Sequence, residues 1–264
     1  MKWSEEAKKS LKEIPFFVRK RVTKRVEEEA ARSGACEVLL EHVHACRRNF
    51  LTKMEEEVSG YKVESCFGPS GCPNRAVICE DLSEKIKERL TAGDIKSFLK
   101  KIVPGPLKIH HEFRVSISDC PNACSRPQIT DIGLVGACQP AITKEGCSHC
   151  NACAEACREK AISFPGDAPV VDETKCLSCG QCIAVCPTGT LQAGKSGYRI
   201  LLGGKLGRHP RLATELPGIF SGEDISGIVD SSLDYYTSYC KGGERLGEIM
   251  EKRGEETIRR KVIP

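Results

Sequence analysis

Apolar and polar positions along the chain repeat with two periods. Val18, Val22 and Val26 recur at the four-residue spacing of one helix face. Together with Pro15, which breaks a helix, this predicts two amphipathic helices over residues 4–12 and 17–31. The stretches Asn74–Leu90 and Ile95–Lys101 read as helical too. Phe113, Val115 and Ile117 alternate with polar neighbours, the period of a half-buried strand. Helix and strand patterns in one chain predict an α+β fold. The longest apolar run near the start, Ile14-Pro15-Phe16-Phe17-Val18, is too short for a signal-peptide core or a membrane span.

Composition narrows the function classes. The 264 residues suit one medium domain with an insertion, or two small domains. Forty Lys and Arg against 36 Asp and Glu leave a net charge of +4, no footprint for nucleic acid. With 40% hydrophobic and 29% charged residues the chain is expected to be neither disordered nor membrane-spanning, and cytoplasmic. Thiols stay reduced in that compartment, so 17 cysteines point to metal ligation rather than disulfides.

Eight cysteines form two copies of one pattern. Cys147-x2-Cys150-x2-Cys153-x3-Cys157 is followed 29 residues on by Cys176-x2-Cys179-x2-Cys182-x3-Cys186-Pro187. The run resembles a bacterial-type two-cluster ferredoxin, in which the fourth cysteine of each run serves the other cluster. The resemblance implies one cluster on Cys147, Cys150, Cys153 and Cys186, and a second on Cys176, Cys179, Cys182 and Cys157. Arg158 stands where the second copy has Pro187. Two further pairs, Cys66-x5-Cys72-Pro73 and Cys120-Pro121-Asn122-Ala123-Cys124, fall in loops at the ends of regular elements. Gly68, Pro69, Ser70 and Gly71 allow a tight turn that exposes backbone N–H groups to sulfur. Four thiolates from two loops are enough for one cubane. Cys36, Cys46, Cys79, Cys138 and Cys240 remain as core or surface thiols.

The C-x5-C-P and C-P-N-x-C pair resembles the cluster motif of siroheme-dependent sulfite and nitrite reductases. Thr130–Gly136, Tyr198–Lys205 with Gly207, Pro210 and Arg211, and Gly243–Gly247 are similar to segments of that family. A ferredoxin inserted after the C-P-N-x-C strand resembles its dissimilatory and anaerobic assimilatory branches. The resemblance implies a third 4Fe–4S cluster on Cys66, Cys72, Cys120 and Cys124, with Cys124 bridging to siroheme. The N-terminal residues Trp3, Ala7, Leu11 and Ile14–Arg19, then Val22, Val26 and Ala30, resemble the small C-terminal domain of a light-independent protochlorophyllide reductase subunit. The expected organisation is a helical domain over 1–50, a siroheme/4Fe–4S domain over 58–143 and 190–264, and a ferredoxin insert over 144–189.

Siroheme carries eight carboxylates and its substrates are anions, so cations must line the site. The candidates are Arg19, Lys20, Arg21, Lys24, Arg25, Arg75, Lys108, Arg114, Arg126, Lys205, Arg208 and Arg211. Within the family-like segments, Arg114 and Lys205 are the expected catalytic residues, and Arg208 and Arg211 the expected cofactor contacts. Glu112 takes the place of a cation usual in that family, and Lys108 is near enough to pair with it. His110 and His111, read as strand residues, would face opposite ways. No segment upstream of Cys66 resembles the family's usual N-terminal half-domain, so the rest of the site is expected to come from elsewhere. The reading is six-electron reduction of sulfite to sulfide, with electrons supplied by a donor protein and the site completed in a homodimer or by a similar subunit. Nitrite reduction and a non-catalytic electron-transfer subunit with three clusters are the alternatives. Neither nucleic acid nor membrane is expected as a partner.

Overall fold

The computed structural model describes residues 1–79 and 81–263. The chain divides into two compact units, residues 1–59 with 104–109, and the remainder.

In the first unit, β1 (Lys2–Trp3) leads into helix α1 (Glu5–Lys12), capped by the Ser4 hydroxyl, which accepts from the Ala7 N–H. Pro15 separates α1 from α2 (Phe16–Arg32), and β2 (Glu37–Val38) lies parallel to β1 before α3 (Leu40–Glu57). Val26 and Ala30 of α2 join Ala7, Val38 and Val43 in a small core, with Trp3 and Val22 packed against it. The Trp3 indole N–H donates to Glu27 at 3.0 Å, so the ring buries its apolar body and keeps a partner for its polar edge.

The second unit runs β3 (Tyr61–Ser65), α4 (Leu82–Ala92), α5 (Ile95–Ile102), β4 (Phe113–Ser118) and β5 (Ile132–Ile142). An insert follows with α6 (Ala152–Ala156), β6 (Ile162–Ser163), β7 (Val170–Val171) and α7 (Gln181–Ala184). The chain returns as β8 (Leu191–Leu202) and β9 (Thr214–Glu215), then ends in α8 (Gly222–Tyr239), α9 (Leu246–Arg253) and α10 (Glu255–Val262). The sheet order is β3-β4-β5-β8-β9, with the first three strands parallel and the last two antiparallel to their neighbours. Phe113, Ile132, Leu134, Ile200 and Leu202 are buried in its core. Tyr236 of α8 stacks obliquely on Phe113, ring centroids 5.0 Å apart. Mixed helix and sheet make the fold α+β, as the two periodicities imply.

Two features of this topology place the cysteines. Strands β3 and β4 are parallel neighbours, so Cys66 and Cys120, just past their carboxyl ends, emerge at one edge, and the Cys66 N–H donates to Ile117 O at 2.8 Å. Strands β5 and β8 pair from Ile132↔Leu202 out to Ile142↔Leu191, whereas β4 pairs with β5 only as far as Val135. The β5–β8 hairpin therefore projects beyond the sheet at that same edge and carries the insert on its tip.

Three expectations change. Residues 74–79 are not helical: the Ala76 N–H is used on Asp119 O at 2.8 Å, at the end of β4, and the helix starts only at Leu82. Glu80, part of the expected 74–90 helix, lies outside the described residues. Strand β4 is covered on both faces, with Ser116 and Ser118 buried beside Val115 and Ile117, because it is an inner strand. The Ser116 hydroxyl donates to Ser125 O at 2.7 Å, which makes that burial tolerable. His110 and His111 sit in a tight turn rather than a strand. Pairing with β3 begins at Tyr61↔Phe113, one residue beyond Glu112.

Candidate functional site

The backbone of the insert repeats as its sequence does. His149 and Ser178, Asn151 and Gly180, and Lys160 and Gly189 all have positive φ, at matching places in the two copies. These left-handed residues turn main-chain N–H groups toward sulfur. His149 N–H donates to Cys147 Sγ at 3.4 Å and Ser178 N–H to Cys176 Sγ at 3.4 Å. Ala161 N–H donates to Cys157 Sγ at 3.2 Å and Leu191 N–H to Cys186 Sγ at 3.4 Å. Such donors favour thiolate over thiol and are a lever on cluster potential.

The thiols group across the copies. Cys147, Cys150, Cys153 and Cys186 line one small cavity with Phe164, Pro169 and Pro187. Burial pushes the Cys182 thiol up to about 12, and the nearby Cys179, Cys176 and Cys157 add to it. Two cages result, each with three cysteines of one copy and the fourth of the other. Either could hold a cubane. Among the described residues no three His, Cys, Asp or Glu side chains converge as a site for a single metal ion. A cubane is held by thiolates at separate corners and needs no such point.

A third group sits at the sheet edge. Burial raises the Cys120 thiol, and the neighbouring Cys124, Cys66 and Cys72 raise it further, although a backbone N–H bond at Asn122 acts the other way. Gly68 and Asp119 both donate N–H bonds to Cys66 Sγ, at 3.2 and 3.3 Å. A side chain at Gly68 would meet Asp119 Oδ2 at 2.2 Å, so the first loop can pack here only with glycine. The Tyr198 hydroxyl donates to Asp119 Oδ1 at 3.3 Å, and burial leaves that carboxyl with a raised pKa. Cys120 is buried and Cys124 exposed.

Beyond Cys124 the chain enters a second cavity, of about 350 Å³, lined by Lys62, Glu64, His110, Arg114, Ser125, Arg126, Thr130, Leu206, Gly207 and Arg245 among others. Lys62 and Arg114 are register partners on neighbouring strands and so share a face. Lys62 pairs with Glu64 at 2.6 Å. Arg245 is anchored from below: the fully buried Asp131 accepts from its Nη2 at 2.5 Å, from Arg114 N–H at 2.8 Å and from Leu246 N–H at 3.1 Å. Among the described residues, the four lining cations outnumber the two carboxylates that pair with them, Glu64 with Lys62 and the buried Asp131 with Arg245, so the lining carries net positive charge.

The expected cations divide. Arg114 and Arg126 line the cavity, Arg126 from a left-handed turn with φ of 60°. Lys205 is 6% exposed and its ammonium lies 2.8 Å from Glu248 of α9. Arg211 donates to Gly203 O, to Thr214 and to Glu255 of α10. Both hold the C-terminal helices to the Gly203–Arg211 loop. Arg208 is exposed on that loop, next to the lining residues Leu206 and Gly207. His111 packs near Gly243, while His110 reaches the cavity. Lys62 is not among the expected cations. The alternation Lys62-Val63-Glu64 signals a polar strand face, but only the register with β4 reveals what that face adjoins.

Comparison with known proteins agrees with this architecture. The family described as the nitrite and sulphite reductase 4Fe-4S domain matches residues 61–264, and the protochlorophyllide reductase 57 kD subunit family matches residues 3–47. A coenzyme F420-dependent sulfite reductase of Methanocaldococcus jannaschii is 31% identical over 192 residues, 72% of this chain and 28% of that protein. An anaerobic sulfite reductase subunit from Salmonella typhimurium is 24% identical, over 85% of this chain and 68% of its own length. The crystal structure of a dissimilatory sulfite reductase I superposes with a TM-score of 0.52 at 16% identity, over 76% of this chain and 51% of that one, a likeness of fold. Among the described residues no helix is long and apolar enough to cross a membrane. With a matched segment that takes in the sheet, the cysteine loops and the insert, the chain belongs to the nitrite and sulphite reductase 4Fe-4S family of iron–sulfur oxidoreductases.

Proposed function

We propose that the chain is a siroheme-dependent sulfite reductase subunit holding three 4Fe–4S clusters. The observation that carries this reading is the cation-lined cavity beginning at Ser125 and Arg126, next in the chain to Cys124. Siroheme fits that chemistry: its carboxylates and an oxyanion substrate both need the charges of Lys62, Arg114, Arg126 and Arg245. When bound, siroheme supplies the iron site and the delocalised macrocycle through which sulfite takes up six electrons. Cys124, exposed and next in the chain to the lining residue Ser125, would be the thiolate of the sheet-edge group that meets such a macrocycle. The arginines neutralise the oxyanion, and the His110 ring offers a nitrogen that can carry a proton into the cavity. Four cations balance only part of eight carboxylates, which supports completion of the site by a second copy or a similar subunit. Several relatives, the anaerobic sulfite reductase subunit of Salmonella typhimurium among them, are themselves named as subunits.

A second reading, an electron-transfer subunit without siroheme, is favoured by the engagement of Lys205 and Arg211 with Glu248 and Glu255. The visible spectrum of anaerobically purified protein decides between them. Soret and red bands are expected, together with about twelve cluster irons per chain, four for each thiol quartet. A cluster spectrum alone favours the second reading. Turnover with sulfite against nitrite then fixes the substrate.

A further inference from the structure

The two copies in the insert match in ligand spacing and left-handed residues, yet their surroundings differ. We infer that the insert is polarised: the Cys147–Asn151 loop receives electrons, the Cys157/Cys176/Cys179/Cys182 cage delivers them to the Cys66/Cys72/Cys120/Cys124 cage, and Arg158 raises the potential of the delivering cluster. This rests on the three-cluster reading above.

The first observation is exposure. Gly146, Ser148, His149, Cys150 and Asn151 are all exposed. At the matching places Lys175 and Leu177 are exposed too, but Ser178, Cys179 and Gly180, the counterparts of His149, Cys150 and Asn151, are partly covered. Strand β5 covers them: the Cys138 N–H donates to Ser178 O at 2.6 Å, and a Cβ on Gly180 would lie 3.3 Å from Cys138 Cβ. One cysteine loop is open to a donor, and its twin is docked on the strand that leads back to the sheet.

The second is a shared cavity of about 370 Å³. Cys157, Cys176, Cys179 and Cys182 line it together with Cys120, Pro121 and Asn122 of the sheet-edge loop. The cavity around Cys147, Cys150, Cys153 and Cys186 is lined instead by residues of the insert and Leu191. Among the described residues, it is the Cys157/Cys176/Cys179/Cys182 cage that shares a cavity with the sheet-edge loop.

The third is charge. Around Cys186 the sequence Ala184-Val185-Cys186-Pro187-Thr188-Gly189 carries none, whereas Glu155-Ala156-Cys157-Arg158-Glu159-Lys160 is charged at every second or adjoining position. Glu155, Arg158 and Glu159 line the shared cavity. Reduction adds one negative charge to a cluster, so an adjacent cation stabilises the reduced form and a carboxylate destabilises it. Arg158 follows the ligand Cys157 directly and offsets one of the two rim carboxylates. In the transfer itself one electron leaves the delivering cluster, oxidising it by one, and enters the sheet-edge cluster, reducing it by one. No bond is made or broken; one electron from the Cys147/Cys150/Cys153/Cys186 cluster re-reduces the delivering cluster, and a low-potential one-electron reductant, here dithionite, re-reduces the former.

The test is a potentiometric titration of the full-length, cluster-loaded protein followed by electron paramagnetic resonance, in the natural sequence, Arg158→Gln and Arg158→Glu. Arg158 is exposed and is not a ligand, so both variants should retain all three clusters. One insert cluster should become harder to reduce, its reduced-to-oxidised ratio at fixed potential falling about threefold for Gln and about tenfold for Glu (about 59 mV for one electron). The shift should shrink at high salt. The other insert cluster should stay put, and the shifted cluster should be the one whose reduction broadens the sheet-edge signal by spin coupling. Equal shifts of both insert clusters, no shift in either, or coupling to the unshifted cluster overturns the inference. About eight irons per chain, with the sheet-edge signal missing, overturns the three-cluster reading instead and removes the acceptor.

Discussion

Cys147, Cys150 and Cys153 reach their cage from one short run of chain, whereas Lys62, Arg114, Arg126 and Arg245 reach the anion cavity from β3, β4, the cysteine loop and the start of α9. The cages depend on local turns, on left-handed residues and on N–H donors two to five residues from each sulfur. The cavity depends on strand register and on one buried carboxylate that holds an arginine from a distant helix. Damage should therefore stay local in the insert and spread in the sheet unit.

The strongest way to break that contrast is at Asp131. Asp131→Ala leaves Arg245 and two backbone N–H groups without their buried acceptor, and should destabilise the sheet unit by about 3–5 kcal/mol. Denaturant unfolding of the cluster-loaded protein measures it. A cost below about 1 kcal/mol would show that Arg245 is held by other means.

Cysteine substitutions come next and read out cluster by cluster. Cys153→Ser should lower the iron content by about four per chain through one insert cluster, since its cage is local. Cys124→Ser should remove siroheme bands while both insert clusters survive. An unchanged siroheme spectrum in Cys124→Ser would show that Cys124 does not hold the cofactor.

A smaller effect is expected at the cavity cations. Arg114→Ala should raise the apparent substrate constant about tenfold, worth about 1.4 kcal/mol, with siroheme retained. Arg114→Lys should do less harm, because charge survives though the planar fork is lost. Loss of siroheme in the alanine variant would make Arg114 a cofactor contact, and wild-type turnover with full siroheme occupancy would remove it from the site.

Smallest is Lys205. Burial would raise the Glu248 carboxyl, but the Lys205 ammonium and the Arg245 backbone N–H outweigh it and hold it below its usual 4.5. A depressed carboxyl pKa stabilises the fold above the unfolded value, and that stability is lost as pH falls through the folded value. Lys205→Met should remove under about 1 kcal/mol at neutral pH, since Glu248 is partly exposed, and should flatten the dependence of stability on pH in the acid range. A large loss of turnover with unchanged stability would make Lys205 a catalytic residue.

The same division explains what is legible in the sequence. The helices around Pro15 and the doubled cysteine run declare themselves because each is fixed by neighbours along the chain. Residues 74–79 do not, because their helical pattern lost to a tertiary acceptor, Asp119 O. Arg114 is identifiable from its motif, but Lys62 acquires meaning only opposite it. Lys205 and Arg211 share a segment with the motif, yet their partners Glu248 and Glu255 lie over forty residues away.

The antiparallel β5–β8 hairpin also bears on how such a chain folds. Its outermost pair, Ile142↔Leu191, holds the two ends of the insert side by side. Closing a longer loop there costs little more than closing a short one, because the entropy of closure grows only with the logarithm of length. The sheet can thus form around these strands before the insert has acquired any metal. Assembly of the insert then needs no rearrangement of the strands, and a hairpin of this kind tolerates gain or loss of its whole cargo at the tip as a single event.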